Sequence, residues 1–125
     1  MQEAVIYTRT STQKQENGHL AQFDACKLWA ETEGVEIKSV YQDFISGGSE
    51  IDQRIGFLSA IQDLSEGDIL IAHKRDRIGR DVIINAVAEN LIRSKGATLK
   101  TLDIESMEDS PESIFTRTLM DAVAS

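Results

Sequence analysis

The chain has 125 residues, enough for one domain that buries roughly two-thirds of its unfolded surface, and its 41% hydrophobic content is that of a globular protein. One cysteine, Cys26, excludes an internal disulfide framework and has neither a metal-ligand spacing nor the downstream arginine of a cysteine phosphatase loop; it reads as core filling, with no metal or cofactor expected. A net charge of −8 argues against non-specific duplex binding by this chain alone, no apolar run approaches the roughly 18 residues of a membrane helix, and Met1 to Ala4 lacks a signal peptide's basic start, so a cytoplasmic protein is expected.

Strand and helix patterns alternate along the whole chain without repeats or low complexity, which is the signature of an α/β sheet. Glu3 to Thr8 reads as the first strand. Asn17 to Glu33 reads as a helix with Leu20, Phe23, Cys26 and Ala30 on one face and Gly34 as its stop. Glu36 to Tyr41 is a second strand, followed by the turn-rich Ile45 to Ser49. A helix from about Asp52 carries Ile55, Leu58 and Ile61 or Leu64 inward, and Glu66 and Gly67 turn into a third strand, Asp68 to His73. The next helix begins near Asp81 and stacks Ile84, Val87 and Leu91; Lys95 and Gly96 close it, and Ala97 to Ile104 gives the fourth strand. Ser110, Pro111 and Glu112 then start a final helix with Phe115, Leu119 and Val123 on one stripe. Nothing stops that helix before Ser125, so the chain is expected to be cut from a longer protein. The expected fold is a mostly parallel sheet of about four strands with helices on both faces, plus this truncated C-terminal helix.

Ligands of open α/β sheets bind beyond the carboxyl ends of the strands. The first strand leads into Arg9 and Ser11, the second into Asp43 and the glycine-rich stretch around Gly47, and the third into Lys74, Arg75, Asp76, Arg77 and Arg80. If the first and third strands are parallel neighbours, a hydroxyl nucleophile and up to five guanidinium groups, those of Arg9, Arg54, Arg75, Arg77 and Arg80, converge at one edge. That chemistry is aimed at a phosphate. Taken singly, each feature has a bland explanation: serine is common in turns, and arginines after a strand often pair with nearby acids. His19 reads as a solvated residue at the start of the first helix, and Trp29 and Phe23 as core or interface filling.

These residues resemble the serine site-specific recombinases, the family of resolvases and DNA invertases. Tyr7 to Thr12 is similar to that family's tyrosine-x-arginine-x-serine-threonine opening, with Ser11 as nucleophile. Gly67 to Arg80 is similar to its glycine-aspartate strand followed by aspartate-arginine-x-glycine-arginine. Gln22 matches a glutamine of the first helix, Asp43 with Ser46 and Gly47 the aspartate-x-x-serine-glycine loop, and Arg54 the arginine before the second helix. Asp63 stands where some members carry a basic residue, and Ile55 where proline is frequent.

The resemblance implies that Ser11 Oγ attacks a DNA phosphodiester, leaving a 5′-phosphoserine link and a free 3′ hydroxyl, and that reversal of the step on a new partner rejoins the strands without an energy cofactor. Arg9, Arg77 and Arg80, with Arg54 in support, would hold the non-bridging oxygens; Tyr7, Gln22, Asp43, Asp68 and Lys74 would support them or contact DNA phosphates. Asp76 and Asp68 are candidates for the group that takes the proton from Ser11, although an aspartate among arginines more often orients them. A hydrolytic triad through His73 finds no advertised oxyanion hole. The resemblance also implies a homodimer that pairs into a tetramer, and a C-terminal DNA-binding domain absent from this chain, which would by itself be monomeric or weakly dimeric and inactive. The alternatives from other classes are a non-catalytic α/β module holding a phosphorylated ligand or partner on its arginine edge, and a receiver-like switch domain, which would want acids at the strand ends.

Overall fold

In the computed structural model, residues 2–10, 16–45, 48–49, 51–79 and 81–103 are described. Ser11, Arg80, Ser46, Gly47 and the expected final helix lie outside them. Strand β1, Glu3–Thr10, is buried from Ala4 to its end, and such a two-sided apolar strand belongs at the middle of a sheet. It is flanked by β2 (Glu36–Phe44) and β3 (Ile69–Ala72), and β4 (Thr98–Thr101) adds beyond β3, giving the order β2-β1-β3-β4 with every pairing parallel. The first two strands run two or three residues further than the apolar pattern suggests. Thr8, Arg9 and Thr10 are buried polar residues, and they pair with Gln42, Asp43 and Phe44.

Helix α1 (Glu16–Glu33) connects β1 to β2 on one side of the sheet order, whereas α2 (Ile55–Asp63) and α4 (Val82–Ser94) lead the chain the other way. Parallel crossovers are right-handed, so α1 covers one face and α2 and α4 the other. Two cores result. Ala4, Ile6, Ile69 and Ile71 meet Cys26 and Ala30 of α1; Val5, Tyr7, Leu70 and Ala72 meet Phe57, Ile61, Ile84, Ala88 and Ile92. Burial pushes the Cys26 thiol up to about 12, as befits an inert core residue.

The helix ends follow from local chemistry. Gly34 adopts φ +71°, and the Val35 N–H returns to the Ala30 carbonyl at 2.8 Å, closing α1. Asp81 caps α4 by accepting from the Ile84 N–H at 2.8 Å. Helix α2 borrows its cap from β2: Asp43 accepts from the Gly56 and Phe57 N–H groups at 2.8 and 3.0 Å. Gly56 is needed there, since a Cβ at that position would stand 2.4 Å from the Gln42 carbonyl oxygen.

Three inward positions are corrected. Leu20, Ile55 and Val87 are exposed. The buried faces instead run through His19, Gln22 and Cys26 on α1, Phe57, Ala60 and Ile61 on α2, and Ile84, Asn85, Ala88, Glu89 and Ile92 on α4. On α1 and α4 a polar residue takes a core position and an apolar neighbour is turned outward.

Candidate active site

The connection from β1 leaves to one side of the sheet and that from β3 to the other, so a crevice opens between their carboxyl ends. Arg9 lies at the end of β1. A four-residue helical turn after β3, α3 (Arg75–Ile78), which the sequence did not announce, carries Arg77 to the same place. Arg9 is 2% exposed, and all three of its nitrogens donate to backbone carbonyls: Nε to Arg77 at 3.0 Å, Nη1 to Ile45 at 2.9 Å and Nη2 to Asp76 at 2.7 Å. Arg77 Nη1 donates in return to the Arg9 carbonyl at 3.4 Å.

Arg54 is fully buried at the start of α2. Its Nε donates to the Ser49 carbonyl at 3.3 Å, and its Nη1 to the carbonyls of Arg77, at 3.4 Å, and Ile78. The guanidiniums of Arg9, Arg54 and Arg77 therefore gather where the three loops after β1, β2 and β3 meet. Burial first, and then the charges of Arg54 and Arg77, pull the Arg9 pKa below its ordinary value. Asp76 places its carboxylate 3.7 Å from Arg77 Nε and is largely exposed, an arrangement suited to orienting that guanidinium. Lys74 is exposed beside it.

Tyr7 lies under this cluster. Its hydroxyl donates to Asp43 at 2.8 Å and its ring meets Phe57 edge-on at 5.1 Å. Burial, followed by the Asp43 charge, raises its pKa far above the ordinary phenol value, so it is a neutral donor. Gln22 of α1 brackets the main chain of Arg9, accepting from its N–H at 3.1 Å and donating to its carbonyl at 3.0 Å. Gln22 thus holds the main chain of Arg9, while Tyr7 and Asp43 tie β1 and β2 to the first turn of α2, which follows Arg54.

Several expectations fail. Asp68 lies at the amino end of β3, opposite to the crevice, where Lys38 pairs with it at 2.6 Å and the Ser65 N–H donates to it at 2.8 Å; it cannot serve Ser11 as base or support. Arg75 turns away from the cluster and pairs with the fully buried Glu89 of α4 at 3.1 Å. Five converging guanidiniums are therefore too many. Asp63 accepts from the hydroxyls of Ser39 and Tyr41 on β2. His19 is 7% exposed and sits between Thr8 and Thr10. Its place on the Gln22, Cys26 and Ala30 face was a signal that the sequence did carry. Ser11 follows Thr10 directly, but it and Arg80 are outside the described residues.

The family profile described as Resolvase, N terminal domain, matches residues 4–125. The chain belongs to the resolvase family. Solved structures agree on the fold of this resolvase domain. The N-terminal catalytic domain of TP901-1 integrase superposes with a TM-score of 0.73 at 24% identity, over 98% of this chain and 94% of that one. A resolvase family site-specific recombinase from Streptococcus pneumoniae gives 0.73 at 22% identity, over 99% and 86%. The C-terminal catalytic domain of ISC1926 TnpA, an IS607-like serine recombinase, gives 0.69 at 20% identity, over 98% and 79%. The resolvase domain is the catalytic domain of a DNA recombinase, and no helix among its described residues is long and apolar enough to cross a membrane.

Proposed function

We propose that Ser11 is the nucleophile of this resolvase domain and that Arg9, Arg77 and Arg80, backed by Arg54, hold the phosphate it attacks. The observation that carries this reading is the reciprocal pairing of Arg9 and Arg77 across the β1/β3 crevice. It sets positive charge beside the residue that precedes Ser11. In the reaction the Ser11 Oγ–phosphorus bond forms as the bond from phosphorus to the 3′ oxygen breaks, so the 5′ phosphate stays on the serine and the 3′ hydroxyl leaves; rejoining runs the same exchange backwards on another strand. Fixed guanidinium forks stabilise the charge that builds on the non-bridging oxygens. Asp76 orients Arg77. The same reading makes the working assembly a homodimer that pairs into a tetramer; the exposed Ile83 and Val87 of α4 support an apolar contact on that side. Its place is where the DNA is, in the cytoplasm.

The test is covalent capture. The full-length gene product is quenched with denaturant in the presence of its DNA, and the attached DNA is sequenced, with Ser11→Ala alongside. DNA joined at a defined position and lost in Ser11→Ala is the expected result. Failure of the folded wild-type protein to form any adduct with its DNA site present would overturn the assignment and favour a phosphate-binding module.

A further inference from the structure

The mechanism leaves one buried titratable group unused. His19, on the first turns of α1, has Nδ1 2.6 Å from Thr8 Oγ1 and Nε2 3.0 Å from Thr10 Oγ1. Thr8 and Thr10 are alternate residues of β1 and present their side chains to the same face. Both are about 1% exposed. The ring of Phe44, at the end of β2, stands edge-on to the imidazole at 4.6 Å.

A neutral imidazole has one donor and one acceptor nitrogen, while a hydroxyl can play either part. The neutral ring is therefore matched on both sides, whichever tautomer it takes. One turn further along α1, Gln22 holds the N–H and carbonyl of Arg9. Helix α1 thus grips three successive residues, Thr8 by its hydroxyl, Arg9 by its main chain and Thr10 by its hydroxyl, and the next residue is Ser11. Aliphatic side chains at these positions would fill the same space. A satisfied polar network adds a fixed direction, which simple packing does not.

We infer that His19 is a positioning residue for the nucleophile: by clamping both threonine hydroxyls at the end of β1 to α1, it sets the direction in which the chain leaves Thr10 for Ser11. This rests on the reading of Ser11 as the nucleophile. A protonated ring donates on both sides, so the hydroxyl that gave its proton to the imidazole has to become an acceptor and send its own proton to another partner, and the clamp changes. β1 brings only hydroxyls to the ring; the charges acting on it are Arg77 from α3, which opposes protonation, and Asp43 from β2, which favours it. Burial, with Arg77 acting in the same direction, outweighs Asp43 and lowers the pKa of the ring, which favours its neutral form.

The experiment measures single-turnover formation of the protein–DNA adduct by the full-length gene product between pH 5 and 8, together with DNA affinity and thermal melting. Small misplacements of a reacting group cost up to about 100-fold. His19→Leu and the double variant Thr8→Val, Thr10→Val are each expected to slow adduct formation by about 10- to 100-fold at unchanged DNA affinity. His19→Gln keeps one donor and one acceptor but does not titrate; it is expected to recover part of the rate and to flatten the acid limb of the pH profile. Folded His19→Leu and threonine variants with wild-type rates and an unaltered profile would overturn the inference. If His19→Leu does not fold, the near-isosteric threonine variant decides by itself. Ser11→Ala separates the two claims: an adduct that survives in it removes the nucleophile reading, whereas its loss beside a normal rate in His19→Leu removes the positioning role alone.

Discussion

Arg9 and Arg77 each hold the other's backbone: Arg9 Nε donates to the Arg77 carbonyl at 3.0 Å, and Arg77 Nη1 donates to the Arg9 carbonyl at 3.4 Å. Residues 68 positions apart are thereby joined across the crevice between β1 and β3. Both guanidiniums are fixed before any substrate arrives, which is the condition under which an electrostatic donor is most effective in catalysis.

Arg77→Ala is accordingly expected to lower the rate of strand cleavage by about 10²–10³. Arg77 is partly exposed, so most of the loss should appear in the rate rather than in folding. Near-normal cleavage by the variant, measured as adduct formed per turnover, would remove Arg77 from the catalytic set.

Arg54 behaves differently because its guanidinium is fully buried and committed to the carbonyls of Ser49, Arg77 and Ile78. Hydrogen bonds to charged groups contribute about 1.5–3 kcal/mol each. Arg54→Ala should therefore lower the denaturant midpoint markedly. Asp76→Ala, at a largely exposed side chain, should leave it within about 0.5 kcal/mol of wild type. Equal effects of the two substitutions in urea titrations would contradict this division.

Asp43 serves three donors, the N–H groups of Gly56 and Phe57 and the hydroxyl of Tyr7. Asp43→Ala removes the cap of α2 and leaves a buried phenol without its acceptor. A loss of about 2–4 kcal/mol is expected from these two effects together, read by chemical denaturation. Tyr7→Phe in the Asp43→Ala background should restore part of it, since the orphaned hydroxyl is then gone.

Breaking the Arg75–Glu89 pair should cost more than any surface ion pair of this chain. Glu89 is fully buried, and truncation of one member of a buried pair typically costs about 3–5 kcal/mol. Glu89→Ala should show that loss in stability; a change below about 1 kcal/mol would mean that the pair is open in solution.

Acid sensitivity follows from the two histidines. Burial, chiefly, lowers the pKa of both: His19 with help from Arg77, His73 with help from Lys74 and Arg77. The unfolded chain binds protons at about 6.5, while the folded chain still resists them. Their contribution to stability is therefore complete above about pH 6.5 and is lost as the pH falls from there through the lowered folded values. Urea midpoints measured between pH 8 and 5 should decline over that interval, and His19→Gln should make the decline shallower.

The mostly parallel sheet of about four strands and the helices on its two faces were legible because the apolar patterns, Gly34 and Gly67 mark the elements directly; the strand order β2-β1-β3-β4 was not, beyond the condition that the first and third strands be neighbours. The arginine crevice was legible because strand ends predict it. What the sequence concealed were polar residues whose partners come from distant segments. His19 is satisfied by β1, Glu89 by Arg75 and Asp68 by Lys38, and nothing in the local pattern of α1, α4 or β3 names those partners. The same residues shifted the apparent helix faces: with His19 in the core, Leu20 is turned outward, and with Asn85 and Glu89 in the core, so is Val87.

The carbonyl oxygen of Arg77 receives both Arg9 Nε and Arg54 Nη1. Two side chains that share one acceptor are not independent. Once either is removed, the other and the shared oxygen readjust, so the effects of the single substitutions will not sum to that of the pair. Ranking these arginines by single alanine variants therefore assigns the same free energy more than once; a double-variant cycle gives the quantity that belongs to the cluster.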